Sequence, residues 1–125
     1  MSYSGQLINV PGLLAGADLS AYQYRPVKLA STAGEVVAAT AASDAVLGIL
    51  LNDPTDGQAA SIAAPGSITI AVAGTSVLTA ASFLTVNSTG LRPTTTDNTA
   101  ICGKAITAAV TKGDLITIQV LTGRY

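Results

Sequence analysis

The sequence predicts an all-β fold: a small antiparallel β-barrel or sandwich with an extended N-terminal arm and at most one or two short helical turns. Three observations carry that expectation. From Tyr22 onward, short apolar runs of strand length alternate with clusters of Gly, Pro, Asn and Asp. Two of those runs alternate cleanly in period two, with β-branched residues on one face. The composition is rich in alanine (22 residues) and threonine (16 residues) and only 4% aromatic, which favours closely packed, pleated backbone over a bulky core. At 125 residues the chain is one domain with an appended arm, read as residues 1–21 and 22–125.

Residues 1–21 differ from the rest. They carry one charge, Asp18, and two apolar clusters, Leu7-Ile8 with Val10 and Leu13-Leu14. Pro11-Gly12 and Gly16 interrupt them, and Pro11 breaks any helix spanning both clusters. An extended arm lying on another surface fits this pattern. So does an N-terminal strand that closes the chain's own core.

The first run beyond the arm, Tyr22 to Leu29, contains Pro26, which marks an edge strand or a bulge. After the turn at Ser31–Gly34 comes Glu35 to Ala39, then Val46 to Leu51. Residues 41–50 also fit a helical face, with Ser43 or Asp44 as N-cap, although Gly48, Val46 and Ile49 favour a strand. Ala59 to Ala64 and Ser67 to Ala73 flank Pro65-Gly66. In the second of these, Ile68, Ile70 and Val72 oppose Ser67, Thr69 and Ala71, the pattern of a half-buried strand. Thr75 to Ala81 has room for one helical turn. Phe83 to Val86 precedes a turn at Asn87–Gly90. Ile101 to Thr107 and Leu115 to Leu121 close the chain across Lys112-Gly113-Asp114, and Ile116, Ile118 and Val120 oppose Thr117 and Gln119. No fixed repeat is present.

Charge and residue inventory exclude several function classes. Lys+Arg number 6 against Asp+Glu 7, a net charge of −1, so there is no basic cluster to neutralise nucleic-acid phosphates. Charged residues are only 10% of the chain, a weak defence against self-association, which points to a surface partly covered in its working state. Histidine is absent and Cys102 is the single cysteine, so neither an internal disulfide nor a Cys/His zinc site can form. No apolar run reaches the ~18 residues of a membrane span, and the first residues lack a secretory pattern.

Little remains that could do chemistry. Most carboxylates sit beside Gly, Pro, Ser or Asn, where Asp serves turns by accepting nearby backbone N–H groups. Asn52-Asp53-Pro54-Thr55-Asp56-Gly57 has oxygen ligands but lacks the later bidentate Glu of a calcium loop, and reads as a turn. Cys102 lies in an apolar stretch without a cationic neighbour, so it reads as a small buried hydrophobe. No phosphate-binding glycine loop is present, and no cofactor is expected. Tyr3, Tyr22, Tyr24 and Tyr125 place aromatic anchors at both chain ends, the residue type that interfaces favour. Tyr22 and Tyr24 packed on the chain's own barrel, with Arg25 stacked on one, is the alternative.

One ordered series of motifs is distinctive. Pro26-Val27-Lys28-Leu29 is followed by Gly34-Glu35-Val36-Val37-Ala38-Ala39, then Ser43-Asp44-Ala45-Val46-Leu47-Gly48-Ile49-Leu50. Pro65 to Gly74 ends in Ala73-Gly74. The close runs Ile101-Cys102-Gly103-Lys104-Ala105 through a small-residue stretch to Gly113-Asp114 and the alternating strand Leu115 to Val120. In order and spacing this series resembles the capsid cement, or head decoration, proteins of tailed bacteriophages, over most of the chain from about Arg25 onward.

That resemblance implies a small β-barrel that sits as a homotrimer on the outer surface of the phage head. It implies a structural virion protein, made in the host cytoplasm, that clamps neighbouring major capsid subunits and stabilises the expanded shell. It implies no catalytic site; the expectation of no nucleic-acid and no membrane partner comes from the charge balance and the lack of an apolar span. It also implies that terminal arms touch the capsid or adjacent copies, which makes Tyr3, Leu7, Ile8, Val10, Leu13, Leu14, Tyr22 and Tyr24 the candidate contact residues. The resemblance does not extend over residues 1–21, so the arm residues rest on their apolar clusters. A receptor- or glycan-binding β-module on a virion or cell surface is the competing expectation. It is disfavoured by the absence of Trp and the single Phe83. A carboxylate-based hydrolase would need two facing acids, and no such pair is visible.

Overall fold

Two five-stranded sheets divide the chain in sequence order, and the computed structural model describes residues 12–41, 44–75, 81–87, 90–94, 100–108 and 111–124. Sheet A comprises β1 (Leu14–Ala15), β2 (Pro26–Leu29), β3 (Glu35–Ala38), β4 (Val46–Leu50) and β5 (Ile62–Ala63), in the order β1-β3-β2-β4-β5. Sheet B comprises β6 (Ile68–Val72), β7 (Phe83–Asn87), β8 (Gly90–Pro93), β9 (Ala100–Ala105) and β10 (Leu115–Arg124), in the order β6-β10-β9-β7-β8. Paired strands are antiparallel except β1 with β3. Among the described residues there is no helix, so the fold is all-β as expected.

Sheet B curls until its two outer strands meet. Ala73 bridges Leu91, and the Gly74 N–H donates to the Leu91 carbonyl at 2.6 Å. Gly90 makes this closure possible: its φ is 141°, and a Cβ there would lie 2.6 Å from the Val72 carbonyl oxygen. A side chain would push the two strands apart. Sheet A also turns back on itself. Ala15 N–H donates to Gln58 O at 2.8 Å and Ala60 N–H to Leu13 O at 3.0 Å, so β1 lies between β3 and residues 58–60.

The interior forms two clusters with β4 as their common wall. Val46 and Ile49 point into the larger cluster, among Leu84, Leu91, Cys102, Ile116, Ile118 and Val120. Leu50, with half-buried Leu47, points into the smaller one, among Leu19, Val27, Val36 and Ile62. Alternation along a strand normally gives one buried face. Here both faces of β4 are covered, which explains its unbroken aliphatic run.

Several expectations are decided or corrected by these contacts. Of the two readings left open for residues 41–50 the strand is the one formed, over Val46–Leu50: Asp44 accepts the N–H groups of Thr40 and Ala41, which precede it, and so closes a turn into β4. Of the two roles expected for Pro26 the structure shows the bulge and not the edge: β2 lies between β3 and β4, and its register against β4 shifts after Val27. Proline is accommodated as the first residue of β2. Strand β6 presents its faces the other way round from the usual rule. Ser67, Thr69 and Ala71 are buried, while Ile68, Ile70 and Val72 are half-exposed. Thr69 and Ala71 lie directly opposite Ile118 and Ile116 of β10, so the tight barrel interior takes a small residue facing each large one. Gly90, expected to end a turn, is the first residue of β8, and Leu91 to Pro93, for which no element was expected, complete that strand. Ser43 and the centre of the proposed turn at Thr75–Ala81 lie outside the described residues.

Candidate interaction surface

The arm residues named from sequence separate into three groups. Tyr3, Leu7, Ile8 and Val10 lie outside the described residues. Leu13 and Tyr22 are half-buried and pack against the smaller cluster, so they support the chain's own core. Leu14 is 43% exposed on β1. The described part of residues 1–21 is fastened to sheet A: Ala15 and Leu19 are fully buried, and Leu19 N–H donates to Pro54 O at 2.9 Å. This matches the second of the two readings for residues 12–21.

Tyr24 has a different job from the one expected of a contact aromatic. Its φ is 66°, left-handed backbone that costs a bulky residue roughly 1–2 kcal/mol. Its N–H donates to Leu50 O at 2.6 Å, and its carbonyl accepts from Val72 N–H at 2.9 Å. One residue thus stitches β4 of sheet A to β6 of sheet B. Beside it, the Arg25 guanidinium lies 5.5 Å from the centre of the Tyr22 ring.

The outward face of sheet B was not singled out from sequence. Residues directly opposite in a ladder share a face. Ile68 is opposite Gln119, Gln119 opposite Lys104, and Lys104 opposite Phe83, which makes one row across four strands. Ile70 with Thr117 and Val72 with Leu115 make the next rows. Leu115 is 56% exposed, Ile106 47% and Phe83 37%. The Lys104 ammonium lies 5.5 Å from the centre of the Phe83 ring. The signal that could have found this face is Leu115. It stands in the same alternation as Thr117 and Gln119, opposite in parity to the buried Ile116, Ile118 and Val120.

The polar groups serve structure. In the loop at residues 52–58, Asn52 Nδ2 donates to Ala59 O and Asn52 Oδ1 accepts from Ser61 N–H, both at 3.0 Å, while Gln58 Oε1 accepts from Thr55 N–H at 2.9 Å. Asp114 Oδ2 accepts from Thr111 N–H at 2.9 Å and closes the tight turn before β10. Lys28 pairs with Asp44 at 3.0 Å. Burial works to raise the Asp44 carboxyl, but the Thr40 and Ala41 N–H groups and Lys28 outweigh it and hold it below its ordinary range. Cys102 is fully buried, its thiol donating to Leu84 O at 3.6 Å, and burial pushes its pKa up to about 12. Among the described residues no group of three or more Asp, Glu, Cys or His comes together to hold a metal, and no helix is long and apolar enough to cross a membrane.

No protein-family model matches the chain, and no curated protein matches it in sequence.

Proposed function

We propose that this protein is a head decoration protein of a tailed bacteriophage. In this reading it binds the outside of the expanded capsid as a homotrimer, clamps neighbouring major capsid subunits, and catalyses nothing. The observation that carries the reading is the ordered motif series from Pro26 to Val120, whose most specific part is Gly103-Lys104-Ala105 on β9, Gly113-Asp114 in the turn before β10, and the alternating strand β10 paired with β9.

The physical argument is one of repeated weak contacts. Linking three binding elements raises the effective concentration of each once the first is seated. Residues 1–11 carry no charge and include Leu7, Ile8 and Val10. A fully covered Leu or Ile side chain contributes roughly 1.5–3 kcal/mol, reduced by the entropy of ordering the segment. A nearly uncharged contact suits a partner present at high local density, where electrostatic steering adds little.

The test is co-sedimentation with expanded, undecorated heads of the particle that carries this chain. Full-length protein should pellet with the heads and stay in the supernatant with DNA. Deleting residues 2–11 should weaken pelleting while leaving a barrel that still unfolds cooperatively. A larger deletion through residue 21 would be uninformative, because it removes the buried Ala15 and Leu19. Full-length protein that ignores the heads would overturn the proposal.

A further inference from the structure

The two sheets divide the charge of the chain unevenly. Residues 1–63, which supply sheet A, carry Arg25 and Lys28 against Asp18, Glu35, Asp44, Asp53 and Asp56, a net of −3. Residues 64–125, which supply sheet B, carry Arg92, Lys104, Lys112 and Arg124 against Asp97 and Asp114, a net of +2. A total of −1 therefore conceals a molecule with opposite signs on its two halves.

Each half also leaves apolar groups in water beside its charge. On sheet B, Lys104 stands in the middle of the outward row from Ile68 to Phe83, with exposed Ile106 two residues further along the chain and exposed Leu115 two rows away, opposite Val72. On sheet A, Leu14 lies directly opposite Glu35. The loop bearing Asp53 and Asp56 is held against this edge by Ala15 N–H to Gln58 O at 2.8 Å and Leu19 N–H to Pro54 O at 2.9 Å. Asp18, Asp53 and Asp56 are all exposed there.

We infer that the outward face of sheet B is a docking surface for a second copy of this chain, which presents the acidic surface formed by β1 and the loop bearing Asp53 and Asp56 to Lys104 and the exposed aliphatic side chains of that face. The contact is head-to-tail, because the two surfaces are different and each copy carries both. Such contacts close into rings when the rotation between copies allows, and otherwise grow as chains. Four strands at ~4.8 Å spacing and five residues of rise make a face of roughly 250 Å² in projection, well short of the ~800 Å² per partner of a standard stable interface. A single contact is therefore weak, and a copy inside a ring or chain is held by two of them. This inference rests on the fold and its charges, and stands whether or not the protein binds a capsid.

Sedimentation velocity of the purified full chain over a concentration series tests it. Association should appear at about 0.05 M salt and weaken at about 1 M, where the Debye length falls to ~3 Å. Lys104→Glu alone should weaken association roughly tenfold, and so should the double variant Asp53→Lys/Asp56→Lys alone. Mixed in equal amounts, the two variants should associate again, because the native acidic surface of one meets the native basic face of the other and their two reversed surfaces also attract. If Lys104→Glu loses its native circular dichroism spectrum, Gln119→Glu places the same charge in the same row from an exposed position. A wild-type chain that is monomeric at every concentration would overturn the inference. So would variants that associate like wild type, or a mixture that forms no pair.

Discussion

Replacing Leu19 by alanine tests whether residues 12–21 belong to the body of the protein. Leu19 is 1% exposed and packs among Val27, Val36, Leu50 and Ile62, with its own backbone bonded to Pro54. Truncating a fully buried leucine costs the transfer free energy of the lost carbons and leaves a cavity, about 3 kcal/mol in total and up to ~5 where the site cannot collapse. The walls here are strands on both sides, which favours the upper part of that range. With a urea m-value of about 1.5 kcal/mol/M, a loss of 3 kcal/mol moves the unfolding midpoint down by about 2 M. Leu14→Ala is the internal control, because Leu14 is already 43% exposed and its loss should cost about 1 kcal/mol or less. Equal, small effects at both positions would refute the argument, since they would mean that this segment separates from sheet A before the rest unfolds.

Two further outcomes follow from buried polar groups. Thr85 Oγ1 is fully buried and has no hydrogen-bond partner among the described residues, so Thr85→Val, which keeps the shape, should raise stability by about 1 kcal/mol in the same urea assay. Cys102 has a folded-state pKa raised from 9.0 to about 12, so the unfolded chain releases the thiol proton first. Its contribution to stability is full below pH 9 and is lost as pH rises from there toward 12; Cys102→Ala should flatten that part of the stability profile, and native protein at pH 8 should resist thiol reagents until it unfolds. Labelling of native protein at the rate of a free thiol would contradict the burial.

The sequence carried local order more clearly than placement. Strand β10 was legible because Ile116, Ile118 and Val120 are both β-branched and buried, so residue type and environment agree. In β6 they disagree. Its large residues face outward because β10 already fills the interior opposite Thr69 and Ala71, a fact about a neighbour 45 or more residues away that no window of sequence contains. Strand β8 was hidden because Gly90 and Pro93 look like turn residues; Gly90 is there for the close approach of Val72, and Pro93 stands on an outer strand. The candidate surface was legible only in part. Apolar clusters drew attention to residues 1–14, whereas Phe83, Lys104 and Gln119 become neighbours only when β7, β9 and β10 align.

The shared wall at β4 couples the halves of the molecule. Sheet B cannot keep a filled interior without Val46 and Ile49, and sheet A cannot keep one without Leu50. Cutting the chain between the sheets would therefore empty the sheet B interior of Ala39, Val46, Ile49 and Ala63 and leave those same side chains bare on the sheet A fragment. Neither could serve as a free-standing module, and any shuffling of this architecture between proteins has to move both sheets as one inheritance.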